Sequence, residues 1–212
     1  MIRFSLVLLL AYQGFSFGAS VQTQESITVQ KTREYKARFL LYLPEGYRDK
    51  LDIKWPLLIF LHGAGERGDD LNKVKVHGPP KLIEKGKKFP FVVISPQCPK
   101  GKKWDDEVLS ELLDYACKKY RVDTSRLYLT GLSMGGYGSW SLGMALCDRF
   151  AAIAPICGGG SFIDVYNASG AKGKALRSLG VWAFHGAKDT VVPVGESKKM
   201  VDALRKFGHS AP

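Results

Sequence analysis

The sequence predicts an α/β domain on a mostly parallel sheet with helices on both faces. Three observations carry this. Short continuous apolar runs recur along the chain, Gly or Pro closes each run, and helical patterns of 3–4 spacing lie between them. Strands apolar at consecutive positions are buried on both faces, as in a parallel sheet, whereas half-solvated strands alternate.

The elements follow in order. Residues 37–43 (ARFLLYL) read as a strand stopped by Pro44. Residues 57–62 (LLIFLH) read as a second, ending in Gly63, and 91–94 (FVVI) as a third, ending at Ser95-Pro96. Residues 126–130 (RLYLT) end at Gly131, 151–156 end before Gly158, and 181–185 (VWAFH) end at Gly186. A helix is expected over 105–120, where Val108, Leu109, Leu112, Leu113, Ala116 and Tyr120 form one stripe. Asp105, Asp106 and Glu107 suit its N-terminal dipole. Residues 134–147 read as a more apolar, covered helix. Residues 197–207 place Met200, Val201, Leu204 and Phe207 on one face, with Gly208 as the stop.

The chain of 212 residues is long enough for one domain with a core and a short leader. The leader is expected at 1–20: Arg3 gives a positive start, Leu6 to Tyr12 an apolar run, and Gly18, Ala19 and Ser20 the small residues of a cleavage site. That layout predicts a signal peptide cut after Gly18 or Ser20, and a secreted or periplasmic domain over 21–212. Residues 21–33 read as a polar lead-in. No later run reaches the roughly 18 apolar residues of a membrane span.

The formal charge is +11. Its lysines are scattered over loops and helix faces, without a nucleic-acid motif, so a solvated basic surface is expected and no nucleic-acid partner. Export would put Cys98, Cys117, Cys147 and Cys157 in an oxidising compartment, where three pairings are open. Their spacing suggests no zinc site.

The carboxyl ends of such strands carry the ligand site, and the loops there hold the chemistry. Gly131-Leu132-Ser133-Met134-Gly135-Gly136 follows one strand and opens a helix, which is the context G-x-S-x-G requires. Small residues two positions either side of Ser133 permit the sharp turn that lifts its Oγ above the sheet, in front of a helix N-terminus. His62-Gly63-Ala64-Gly65-Glu66-Arg67-Gly68 ends another strand, and the amides of Ala64 and Met134 suit an oxyanion hole. Asp189, in HGAKDTVVP after 181–185, fits the acid in the chain order Ser, acid, His. Asp164, after the preceding strand, is the alternative. Trp104 is the candidate for lining a substrate pocket, and loop packing is its other reading.

HGAGERG, GLSMGG, APICGGG and FHGAKDTVVP together resemble the α/β-hydrolase superfamily. The nearest likeness is to its bacterial exported esterase and predicted-peptidase group, relatives of feruloyl and polyhydroxybutyrate esterases, over 37–208. The resemblance implies a serine hydrolase of ester, or less often peptide, bonds, with no cofactor or metal. On the matching positions it implies Ser133 as nucleophile, Asp189 as acid, and Ala64 and Met134 as oxyanion donors. The implied substrate is a small-molecule or polysaccharide-linked ester.

The chain departs from that pattern after the acid. The family's catalytic histidine follows one further strand; here one helix and the tail Gly208-His209-Ser210-Ala211-Pro212 follow Asp189. A helix over 197–207 carries the chain about 16 Å from the nucleophile, which a short flexible tail cannot recover. His209 is therefore not expected to be the base, and His62 and His185 read as braces of their turns. The last strand and histidine loop are expected to be missing by C-terminal truncation, leaving the 212-residue form nearly inactive, with an exposed sheet edge prone to aggregate. Three activities stay open: an esterase, a peptidase using the same site, and a non-catalytic binding protein.

Overall fold

The computed structural model describes residues 37–211. The expected signal peptide and lead-in lie outside the described residues. The described residues belong to one compact unit, whose frame is a six-stranded sheet. Its strands are β1 (Arg38–Tyr42), β2 (Trp55–Leu61), β3 (Val92–Gln97), β4 (Val122–Leu132), β5 (Ala152–Ile156) and β6 (Gly180–Val181). They are ordered β1-β3-β2-β4-β5-β6. β1 pairs with β3 antiparallel and every other neighbour is parallel. All six residues of β3 are buried. Successive strand residues point to opposite faces, so both faces of the sheet are covered there.

The helices are α1 (Gly78–Glu84), α2 (Asp106–Lys119), α3 (Met134–Ala145), α4 (Phe162–Ser178) and α5 (Gly195–Lys206). α2 buries Leu109, Leu112, Leu113 and Ala116, the expected stripe. Asp105 caps its start by accepting from the amides of Glu107 and Val108. α3 packs on β2, β4 and β5 with α2 and α4 beside it. Its Trp140 and Leu142 are fully buried, as expected of a covered helix. α5 buries Met200 and Leu204, while Phe207 lies at its C-cap, with ring centroids 5.7 Å from Phe162 and 6.0 Å from Tyr166 of α4.

Two expectations need correction, and one helix lies outside the sequence pattern. The strand expected over 181–185 pairs only at Gly180–Val181, with one further bridge from Ile156 to Phe184. It has β5 on one side only, and Trp182 stands 64% exposed. α4 was not read from the sequence. The tail is packed rather than flexible: His209 and Ala211 are buried. All four cysteines are free thiols, and burial pushes Cys98 up to about 11.

Candidate active site

The sheet register aligns four strand ends. Leu61 of β2 pairs with Gly131 of β4, and Leu132 with Ile156 of β5. The bridge from Ile156 to Phe184 brings the segment after β6 alongside. The turns at 62–65, 132–135, 157–160 and 185–189 thus leave the same edge, where a parallel sheet places its ligand.

Ser133 is the N-cap of α3, with φ 55° and ψ −118°. This is a left-handed backbone that residues bearing a β-carbon rarely adopt. Two contacts hold it. The Ser133 amide donates to the Ile156 carbonyl at 2.9 Å and lies 3.3 Å from the Cys157 Sγ. The small residues of the motif are required by distance. A β-carbon on Gly135 would lie 1.9 Å from the Leu61 carbonyl oxygen, and one on Gly131 would lie 2.4 Å from the Gly135 oxygen. The elbow is therefore pressed onto the end of β2, which brings the 62–65 turn against the start of α3.

In that turn Ala64 is exposed and opens a short 3-10 turn, Ala64–Glu66. Met134 is the first residue of α3. Opening amides of helical segments have no acceptor inside their own helix. Arg67 braces the turn, its Nε donating to the Ala64 carbonyl at 2.8 Å. His62 is wholly buried. Its Nε2 accepts from the Cys98 amide at 3.0 Å, so the ring proton sits on Nδ1, 2.6 Å from the Gly63 carbonyl. Burial holds this imidazole below its usual range.

Trp104 donates from Nε1 to the His62 carbonyl at 3.2 Å, and its ring meets His62 edge-on at 4.8 Å. With Lys103, Met134, Tyr137, Gly138 and Ser141 it lines a cleft of about 390 Å³ that starts beside the elbow.

Asp189 is placed differently from Ser133's immediate neighbours. Its Oδ1 accepts from the amides of Val192 (3.0 Å) and Val191 (2.9 Å), which hold the carboxyl below its usual range. Its Oδ2 lies 3.7 Å from His185 Nε2. His185 Nε2 donates to the Val192 carbonyl at 2.7 Å. The Ser197 hydroxyl lies 2.7 Å from both His185 Nδ1 and the Gly158 carbonyl. Asp189, His185 and Ser197 stand in a row like a serine, histidine and acid, but Ser197 is 5% exposed and its hydroxyl donates to the Gly158 carbonyl. The Asp189 turn thus joins the 157–160 turn through His185 and Ser197. No sequence pattern singled out Ser197 or Cys157 for these links; they join distant segments.

The four histidines all lie among the described residues, and each is engaged elsewhere. His62 and His185 brace their turns. His77 is exposed, its Nε2 3.8 Å from Glu66 Oε1. His209 Nε2 lies 2.7 Å from the Leu179 carbonyl, at the amino end of β6 and so at the edge opposite Ser133. Asp164, the alternative acid, lies on the first turn of α4 and faces a different hollow.

Known proteins are similar to this chain in sequence and fold. The esterase family model matches residues 77–164. A bifunctional acetylxylan esterase/xylanase of Neocallimastix patriciarum is 31% identical over 144 residues, which are 65% of this chain and 20% of that protein. A thermostable esterase of known structure is 31% identical with a TM-score of 0.67, over 82% of this chain and 49% of that one. The chain therefore spans a fifth to a half of these relatives' length. A ferulic acid esterase superposes with a TM-score of 0.64 at 20% identity, over 82% of this chain and 81% of that one, a likeness of fold. Sheet, elbow and comparisons agree on the class: the chain has the α/β-hydrolase fold, and the proteins it is similar to are esterases.

Proposed function

We propose that the chain carries the nucleophile, the oxyanion donors and the acid of a serine ester hydrolase. The observation that supports it best is Ser133 held in a left-handed backbone at the head of α3, with small residues pressed against β2 on either side. Ser133 Oγ attacks the ester carbonyl, the alcohol leaves, and water later releases the acyl group from Oγ. The Ala64 and Met134 amides receive the developing oxyanion, and the acyl or alcohol part lies along Trp104. Asp189 is the acid that orients the imidazole. That imidazole is none of the four histidines, since each has another contact. The 212-residue chain alone is therefore expected to turn over slowly. In template serine proteases, loss of one triad member leaves about 10³–10⁴-fold catalysis over water. The acetylxylan esterase relative supports an ester on a polysaccharide as substrate, and the leader pattern supports export. No cofactor is invoked.

The test is chemical rescue. Hydrolysis of phenyl acetate by the chain should be weak and should rise with added imidazole, after subtraction of the Ser133→Ala chain under the same conditions. Equal rates for the two chains at every imidazole concentration would remove the proposal.

A further inference from the structure

A second hollow, of about 270 Å³, lies between α2, α3 and α4. Its polar wall is Asp106, Ser141, Asp164, Asn167 and Lys172, over an apolar floor that includes Met144. It meets the Trp104 cleft at Ser141, which lines both. The two are tied there, because the Ser141 hydroxyl donates to Asp106 Oδ2. Burial, with the charge of Asp164 beside it, pushes the Asp106 carboxyl above its usual range. Lys172 interrupts the helical backbone of α4 at φ −134° and ψ 33°. Its ammonium donates to Asp148 at 2.7 Å and to the Ala145 carbonyl at 2.9 Å, which leaves one of its three donors free.

This wall selects a ligand class. Two carboxyl groups disfavour an anion, and the Lys172 ammonium, its charge balanced by Asp148, offers its remaining donor to a neutral acceptor. Among the described residues no cluster of side chains suits a metal ion. A neutral group that both gives and takes hydrogen bonds fits: its hydroxyls donate to Asp106 and Asp164 and accept from Asn167 and Lys172. The adjoining cleft offers the rings of Trp104 and Tyr137 to an apolar C–H face. A sugar ring has both properties.

We propose that this hollow is a saccharide subsite, so that a sugar chain bearing the ester runs from the Trp104 cleft past Ser141 to Asp164 and Asn167. The inference rests on the esterase reading and adds to it the place where the carbohydrate is held. Asp164, set aside as catalytic acid, acquires a role in recognition.

Calorimetric titration of the 212-residue chain with xylohexaose and with cellohexaose tests it. At least one neutral oligosaccharide should bind saturably. Asp164→Ala combined with Asn167→Ala should weaken that binding tenfold or more. The double variant should keep its circular dichroism and its imidazole-stimulated turnover of phenyl acetate, since neither residue touches the elbow. If neither sugar binds, or the double variant binds like the parent, the subsite is wrong. Turnover without sugar binding would sink this inference alone; sugar binding without Ser133-dependent turnover would sink the esterase reading alone.

Discussion

Ser133 sits in a backbone region that costs on the order of 1–3 kcal/mol for a residue with a side chain. The molecule offsets this with the Ile156 carbonyl and the neighbouring Cys157 sulfur. The elbow was legible in the sequence because steric demands at fixed offsets leave a fixed pattern of small residues. The Cys157 contact was not, since it spans 24 positions and follows only from β4 pairing with β5. His62 gives a prediction at this scale. Folding keeps it neutral, with its proton on Nδ1 and its pKa below the ordinary value. The unfolded chain takes up a proton near pH 6.5. Below that pH the unfolded state binds more protons, so stability is full above about pH 6.5 and falls as pH drops towards the folded pKa. Urea midpoints from pH 7.5 to 5 should show this decline. His62→Gln should flatten it, and an unchanged slope in that variant would contradict the assignment.

Among the elements, α3 and α4 show what sequence patterns can reveal. α3 was readable because the elbow must open a helix and its residues are apolar all round. α4 leaves little pattern because it buries few residues, Val165, Ala168 and Leu176, carries Gly170 and Gly173, and departs from helical geometry at Lys172. β6 is shorter than its composition suggests: VWAFH has strand composition, but only Gly180–Val181 pair with β5, with one further bridge at Phe184. The two helices also predict opposite outcomes for one chemical change. A β-carbon at Gly170 meets nothing within 4 Å. Gly170→Ala should therefore raise unfolding free energy by about 0.5–1 kcal/mol through helix propensity. In α3, Gly135→Ala would drive a methyl into the Leu61 carbonyl and should lower it by at least about 1–3 kcal/mol. Urea unfolding of both variants measures the contrast.

For the whole molecule, the parallel sheet places Ser133, the 62–65 turn and Asp189 on one edge although they are far apart in sequence. The sequence showed that edge through Gly-closed apolar runs. It did not show how the turns interlock through His185, Ser197 and Gly158, nor that Asp164 faces a separate hollow, because both depend on side-chain directions across elements. It did show that His209 belongs at the opposite edge, from helix length alone, and its contact with Leu179 agrees. In the proposed reading, the fold raises one hydroxyl, Ser133, to react while its counterfeit, Ser197, stays enclosed. Prolonged reaction with a fluorophosphonate in the presence of imidazole, followed by peptide mass spectrometry, tests this most directly. The expected product is an adduct on Ser133 with Ser197 unmodified; an adduct on Ser197 or another serine, with Ser133 untouched, would overturn the proposal.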